Sequence, residues 1–228
     1  MPWPGTGINF SKTNFKMEEK ILYHLRKDYS KISLDTEHLN KDPFVQFGEW
    51  FDNALSQESQ EANAMILSTS NISGKPSSRV VLLKSFSKQG FVFFTNYNSK
   101  KGKDIEENPN VSVLFFWPSA MRQIRIEGFA KKTSQKISEN YFYSRPRESQ
   151  ASSALSMQSA PLEQRESFDN SVKTLAGNPG KIIKPKHWGG YNITPRTFEF
   201  WQGRIGRSHD RFLYTQENGI WKITPLYP

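Results

Sequence analysis

Cysteine is absent from the 228 residues. That excludes disulfides, thiolate metal centres and cysteine nucleophiles, and it suits a reducing compartment. Histidine is scarce, and the four present (His24, His38, His187 and His209) show no metal-ligand spacing, so no metal site is expected. No apolar run approaches the roughly 18 residues of a membrane-spanning helix. Residues 1–15 lack the apolar stretch of a secretory signal, and a cytoplasmic, membrane-free protein is expected. Neither G-x-x-x-x-G-K-[ST] nor G-x-G-x-x-G occurs, which removes P-loop and Rossmann phosphate binding. No serine stands on a tight strand-to-helix elbow of the kind nucleophilic hydrolases use. Acidic residues are outnumbered, 22 against 31 Lys and Arg, for a net charge of +9. Two kinds of partner fit that balance, nucleic acid or phosphorylated small molecules. Where the charges sit must decide.

What is present is a chain rich enough in aromatics (14%) to build a core. Residues 1–16 are polar, punctuated by Gly and Pro, and expected to be poorly ordered. A helix over 17–29 puts Ile21, Leu22 and Leu25 on one face and Arg26 and Tyr29 three positions apart. Asp42-Pro43 opens a clearer helix, with Asp as N-cap and Pro at the first helical position. Phe44, Phe47, Trp50, Phe51 and Leu55 then follow at helical spacing as a core face. From residue 64 the period becomes two: strands are predicted at 64–70, 77–85, 91–95, 111–117 and 123–132. Between the third and fourth, 98–109 reads as a short helix with a basic start and an acidic end. The helix dipole disfavours that order, so either an anion sits at its start or the helix is simply solvated.

Residues 134–144 read as a helix with Ile137, Tyr141 and Phe142 inward, stopped at Arg145 by Pro146. Residues 149–164 are a weak helix or a mobile loop, 161–175 another helix, and 177–186 a basic linker. Strands follow at 188–194, 197–202, 211–216 and 220–224, the last two joined by the hairpin signal Asn218-Gly219. Strands in the middle and at the end with helices interposed predict a mainly β protein with helices (α+β), a Greek-key-like barrel. One domain over 17–228 is expected, with 17–41 as an N-terminal segment.

The organising stretch is 200–214, which holds Arg204, Arg207, His209, Asp210 and Arg211, with Gly203 and Gly206 expected to supply sharp turns. It suits an anionic, planar ligand, although a basic hairpin in water reads the same. Elsewhere cations repeatedly stand beside hydroxyls and amides. The sets are Ser78/Arg79 with Lys84, Thr95 with Ser99/Lys100/Lys101, Arg122/Gln123, Tyr141/Arg145/Ser149, Gln158/Ser159 and Arg207/His209/Arg211. Arg or Lys beside Ser or Thr holds a phosphate where no Gly-rich loop exists. There are enough sets for more than one.

The stretches 78–84, Phe94-Thr95-Asn96 with Ser99-Lys100-Lys101, Arg122-Gln123, 141–150 and Gln158-Ser159, in this order, resemble the pyridoxine/pyridoxamine 5'-phosphate oxidases. The likeness continues through Trp188-Gly189-Gly190, 200–203, 207–214 and Trp221-Lys222-Ile223. The resemblance implies an FMN-binding split β-barrel working as a homodimer with FMN at the interface. It implies FMN contacts from Arg79, Val80, Lys84, Phe94, Thr95, Ser99, Lys100, Lys101, Gln123, Gln158, Ser159, Trp201 and Arg211. Lys84, Tyr141, Arg145 and Ser149 match the positions that grip the substrate phosphate. Arg207 and His209 match the pair over the substrate ring, and Arg26 with Tyr29 an N-terminal lid. The implied reaction is hydride transfer from substrate C4' to flavin N5, with O2 reoxidising the flavin to give H2O2. The chain departs from the family at Lys100, where Arg is frequent, at Phe94, where Tyr is common, at 151–154, and at 32–38. Two rivals carry distinct expectations. A split-barrel flavin oxidase for another substrate, such as a phenazine precursor, would share the FMN set but not all of Tyr141, Arg145, Ser149, Arg207 and His209. A nucleic-acid-binding barrel would expose its strand aromatics, whereas Phe91, Phe93 and Phe115 lie in core-like runs.

Overall fold

The computed structural model describes residues 33–57 and 61–228. The helix expected over 17–29, with Arg26 and Tyr29, lies outside them. Nine strands form one curled antiparallel half-barrel: β1 Ala64–Ser70, β2 Pro76–Leu82, β3 Ser85–Ser87, β4 Gly90–Asn96, β5 Asn110–Trp117, β6 Arg122–Lys132, β7 Trp188–Gln202, β8 Asp210–Glu217 and β9 Ile220–Leu226. Their order is β2-β1-β5-β6-β7-β4-β3, with β8 on β7 and β9 on β8. Five helices accompany them among the described residues: α1 Pro43–Gln57, α2 Lys100–Glu107, α3 Gln135–Ser144, α4 Arg147–Leu155 and α5 Arg165–Gly177.

α1 starts where its cap requires, with the Phe44 N–H donating to Asp42 Oδ1 at 2.9 Å. It then lays Phe47, Trp50 and Ala54 into the concave face of the sheet. Phe47 meets Phe91 and Phe115 at 4.8 and 5.1 Å between ring centroids, and Trp50 meets Phe200 at 5.2 Å, all close to edge-on. Each such ring contributes about 1.5–3 kcal/mol by burial, plus about 0.5–1.5 kcal/mol per edge-to-face pair. Phe91, Phe93 and Phe115 are fully buried, as expected for core and not for a nucleic-acid face. Leu55 departs from the expected stripe. It is 58% exposed, because Ala54, one turn beyond Trp50, occupies the inward position. Ile137 is likewise 48% exposed, and α3 turns Ser138 and Phe142 inward instead.

Two further departures position the candidate site residues. The strand expected over 77–85 divides at Leu83 and Lys84, where the backbone changes partners: Leu83 N–H bonds Asn63 O and Lys84 N–H bonds Val92 O. The two strands expected at 188–194 and 197–202 are one 15-residue strand, β7. Pro195 does not break it because it lies at a bulge, where the register against β6 shifts between Glu127 and Gly128 and an N–H is not required. Gly128 opposite makes room, since a Cβ there would run into the Thr194 carbonyl. β7 therefore carries β4 along its first half and β8 along its second, while β6 spans both halves on its other side. The first part of the ambiguous stretch, 149–155, belongs to α4, which begins at Arg147, and the next helix starts at Arg165 rather than 161. At the last hairpin Asn218 and Gly219 both take positive φ, 50° and 80°, the geometry of the turn expected there.

Candidate functional site

A cleft of about 760 Å³ lies between the outward side of β2 and β4, the start of α2, the α3–α4 junction and residues 156–159. It gathers Arg79, Val80, Lys84, Phe94, Thr95, Lys100, Lys101, Tyr141, Arg145, Gln158 and Ser159, eleven of the residues predicted from the sequence. A volume of this size suits a small-molecule ligand, and the wall is strongly cationic.

Arg79, Lys100, Lys101 and Arg145 are held by chemistry that the local fold supplies. Ser99 caps α2, accepting from Gly102 N–H at 3.3 Å and donating to Asn96 O at 2.7 Å. This brings Lys101 back over β4, where its Nζ donates to Thr95 Oγ1 (3.2 Å), Ser99 Oγ (3.3 Å) and Gln158 Oε1 (3.1 Å). Lys101 is only 8% exposed. Burial, and then the charge of Arg79, pull its ammonium down to about 8. Arg79 Nη1 donates to Thr69 Oγ1 at 2.7 Å and to the carbonyls of Leu67 and Ser77, while Nη2 donates to Ser77 Oγ at 2.8 Å. Behind it Asp104 takes the Thr69 hydroxyl at 2.7 Å and both carboxylate oxygens take Lys100 Nζ at 3.0 Å. Burial works against the Asp104 charge, but Thr69, Lys100 and Arg79 outweigh it and hold the carboxyl below its ordinary value. Ser159 Oγ accepts from Lys100 N–H at 3.2 Å.

A second part of the wall is aromatic. Phe94 stacks on Tyr141 at 4.0 Å and on Trp188 at 5.6 Å, and Arg145 lies 4.9 Å over the Trp188 ring. Arg145 Nη1 also donates to Ser153 Oγ at 2.8 Å, and Gln150 Nε2 braces the Arg145 carbonyl at 2.8 Å. Ser149 is half-buried on the first turn of α4 and does not line the cleft, whereas Ser152 and Ser153, one turn on, do.

The remaining predicted residues sit elsewhere on the chain. Gln123, Trp201 and Arg211 are cross-strand partners on β6, β7 and β8, in line with Phe116 of β5. The neighbouring row, Phe115, Ile124, Phe200 and Phe212, is buried in the core. Since successive strand residues alternate faces, the Gln123–Trp201–Arg211 row lies on the outer face of the sheet. Arg211 Nε pairs there with the buried Glu199 at 2.8 Å, and Nη1 donates to Tyr227 O at 3.0 Å. Arg207 and His209 are carried by the β7–β8 connection beside this row, with the His209 ring 4.7 Å from Trp201. That connection is not extended. Residues Ile205–Arg207 form a 3-10 turn in which Gly206 and Arg207 take positive φ (70° and 62°), while Gly203 does not, so the turn expected at Gly203 is absent. The turn is closed by Arg204, whose N–H donates to His209 Nδ1 (3.1 Å) and whose Nη1 donates to Asp210 Oδ1 (2.9 Å). None of these five residues lines the cleft of its own chain.

Residues 51–176 match the family described as pyridoxamine 5'-phosphate oxidase, and residues 188–228 match the pyridoxine 5'-phosphate oxidase C-terminal dimerisation region. The chain belongs to the pyridoxamine 5'-phosphate oxidase family. It is 46% identical over 211 residues to the pyridoxine/pyridoxamine 5'-phosphate oxidases of Burkholderia mallei and Burkholderia thailandensis, covering 91% of this chain and 99% of each relative. Among solved structures it is similar to PhzG from Burkholderia lata in complex with tetrahydrophenazine-1-carboxylic acid. That match has a TM-score of 0.83 and 27% identity, and covers 89% of this chain and 100% of PhzG. A pyridoxamine 5'-phosphate oxidase-related, FMN binding protein from Nostoc punctiforme shares the fold at a TM-score of 0.67 and 15% identity, covering 86% and 100% of the two chains. The half-barrel is thus the split-barrel fold of an oxidoreductase and flavoprotein family. No helix among the described residues is long and apolar enough to cross a membrane.

Sequence reasoning did not single out Thr69, Asp104, Ser152 and Ser153 as site residues. Thr69 had a signal: it occupies the inward phase of β1 after Met65 and Leu67, a hydroxyl where the pattern asks for an apolar side chain.

Proposed function

We propose that this chain oxidises pyridoxine 5'-phosphate and pyridoxamine 5'-phosphate to pyridoxal 5'-phosphate in the cytoplasm, as an FMN-dependent homodimer of single-domain (17–228) protomers. The observation that carries the reading is the composition of the cleft wall. One side presents Arg79, Lys100 and Lys101 with hydroxyls, and the α3–α4 side presents Arg145 beside the Phe94–Tyr141–Trp188 stack. Two phosphates with ring systems between them suit such a wall. The donor set fits FMN: Arg79, Thr95, Lys100, Lys101, Gln158 and Ser159 would hold its phosphate end, with Val80 and Phe94 against it, while Ser99, fully buried, supports them by capping α2. When bound, FMN would supply a hydride acceptor for C4' that O2 can reoxidise, with H2O2 as the product.

In this reading Lys84, Tyr141 and Arg145 hold the substrate phosphate, Ser149, which does not line the cleft, is left without a contact to it, and Arg26 and Tyr29, outside the described residues, would close over it. Arg207 and His209 orient the substrate ring, and Gln123, Trp201 and Arg211 complete the flavin contacts. Because those five lie away from the cleft of their own chain and within or beside the match to a dimerisation region, they are assigned to the partner protomer's cleft. No side chain is assigned as a general base.

PhzG, a near relative in fold and sequence, motivates a second reading in which the substrate is a reduced phenazine carboxylic acid. One experiment separates the two. The flavin released on denaturation is identified and the mass in solution measured. H2O2 release is then followed with pyridoxamine 5'-phosphate, pyridoxine 5'-phosphate and tetrahydrophenazine-1-carboxylic acid. Turnover of the phosphorylated vitamers is expected. Turnover of the phenazine alone would establish the second reading, and a flavin-free monomer that FMN cannot reconstitute would refute both.

A further inference from the structure

We propose that Asp104 is a positioning residue for anion capture in the cleft, fixing the aim of Arg79 through the Thr69 hydroxyl and of Lys100 directly. The inference rests on the reading of the cleft as an FMN site. A buried carboxylate directly behind the cations of an anion site needs an explanation, since its own charge repels the ligand. Asp104 is 4% exposed, and every polar contact it makes through its side chain is with a group that serves the cations. The Thr69 hydroxyl has one proton. Donating it to Asp104 Oδ2 leaves a lone pair aimed at Arg79 Nη1, at 2.7 Å each. The relay therefore has a direction, Arg79 to Thr69 to Asp104. Asp104 Oδ2 also stands 4.0 Å from Arg79 Nη2. Without Asp104 the Thr69 proton turns to the Ser77 carbonyl at 3.4 Å, and the hydroxyl lone pair is no longer held in its aim at Arg79. With the relay in place one edge of the guanidinium is spent inside the chain, and the Nε–H and one Nη2–H remain for the cleft.

Lys100 is the other half of the device. It is exposed, on a flexible stem, one helical turn before Asp104, and bonded to both carboxylate oxygens. Ordering it before the ligand arrives removes an entropic cost of binding. The repulsion of Asp104 toward an anion is blunted because Lys100 and Arg79 already neutralise it, so the ordering effect wins. The pairing also accounts for the cation-first polarity of α2, which the helix dipole alone disfavours.

The test titrates apoprotein with FMN and with riboflavin, which lacks the phosphate, following quenching of flavin fluorescence. Asp104→Ala is expected to raise the FMN Kd about tenfold or more, tenfold being about 1.4 kcal/mol, and to leave the riboflavin Kd little changed. Thr69→Val is expected to show the same selective loss, and the double variant little beyond Asp104→Ala, as for residues in one relay. Asp104→Asn keeps an acceptor for Thr69 but cannot hold Lys100, and should fall between Asp104→Ala and the native chain. FMN binding that is unchanged or tighter in Asp104→Ala, or parallel loss of both flavins, overturns the proposal. If Asp104→Ala does not fold, Asp104→Asn and Thr69→Val decide: selective FMN weakening in both sustains it, and a native FMN Kd in either refutes it. A native chain that binds neither flavin refutes the cofactor reading and the proposal with it. A native chain that binds FMN while Asp104→Ala is unaffected refutes the positioning role alone.

Discussion

Replacing Arg145 by Ala offers the sharpest separation of the two anion sites proposed for the cleft. The guanidinium is half-buried, lies 4.9 Å over Trp188 and donates to Ser153 Oγ at 2.8 Å. These contacts orient it, and their loss costs the fold on the order of 1 kcal/mol, the range of a partly buried cation–π contact. Its value to a bound phosphate is larger. Removing one partner of a desolvated, hydrogen-bonded charge pair costs about 2–5 kcal/mol, which is roughly 30-fold to several thousand-fold in affinity. None of the contacts of Arg145 is shared with Arg79, Lys100 or Lys101, so the flavin phosphate should not feel the change. Steady-state turnover of pyridoxamine 5'-phosphate is then expected to show KM raised at least about 30-fold, with the FMN Kd near native. The residual activity on unphosphorylated pyridoxamine should be unaffected. Thermal melting establishes that the variant is folded. Equal loss for FMN and substrate in a folded variant, or equal loss for phosphorylated and unphosphorylated substrates, would show that Arg145 does not bind the substrate phosphate.

Three other expectations follow from the geometry. Lys101 is held near 8 while a solvated lysine titrates near 10.4, so between these pH values the unfolded apoprotein binds more protons. Apoprotein stability should therefore rise from pH 8 to 10, while FMN affinity falls as the ammonium is lost; Lys101→Met should abolish both trends in melting and titration curves, and their persistence would refute the assignment. Arg207→Ala and His209→Ala should leave FMN content near native and slow anaerobic flavin reduction by pyridoxamine 5'-phosphate but not reoxidation by O2; stopped-flow with the half-reactions separated checks this, and Arg207→Lys should recover little because an ammonium cannot replace a planar guanidinium over a ring. Phe116 is 56% exposed in the protomer yet aligned with Gln123, Trp201 and Arg211; Phe116→Asp should yield monomers that have lost FMN, and a native dimer with native FMN by light scattering and absorbance would remove Phe116 from the interface.

Much of the fold was legible because local and tertiary signals agreed. Asp42-Pro43 and the ring spacing of α1 point to one helix face, and alternation from residue 64 gives β1 the bounds it has in the structure. Failures occurred where a tertiary partner overrode the local signal. Leu83 and Lys84 continue an apolar strand pattern, yet their N–H groups bond Asn63 and Val92, so the strand ends. Pro195 reads as a stop, yet the bulge against Gly128 accommodates it. Leu55 satisfies the helical period of α1, yet the smaller Ala54 fills the inward place against the sheet.

The site was legible to the extent that charge reveals it. Arg79, Lys84, Lys100, Lys101 and Arg145 stand out as cations beside hydroxyls, and one cleft gathers them. Thr69 and Asp104 were hidden because a threonine in a strand and an acid in a charged helix are both unremarkable until the sheet brings β1 against α2. The register supplies what sequence order cannot. Gln123, Trp201 and Arg211 come from positions far apart in the chain, yet β6, β7 and β8 align them as one row. That row and the cleft belong to different surfaces of the same protomer. A ligand that needs both must be held by two chains, each giving its cleft to one site and its row to the other. Two equivalent sites related by a twofold axis follow from such an exchange, because each protomer is donor and acceptor at once. Breaking the interface should therefore empty both sites together, with no half-loaded dimer surviving as an intermediate.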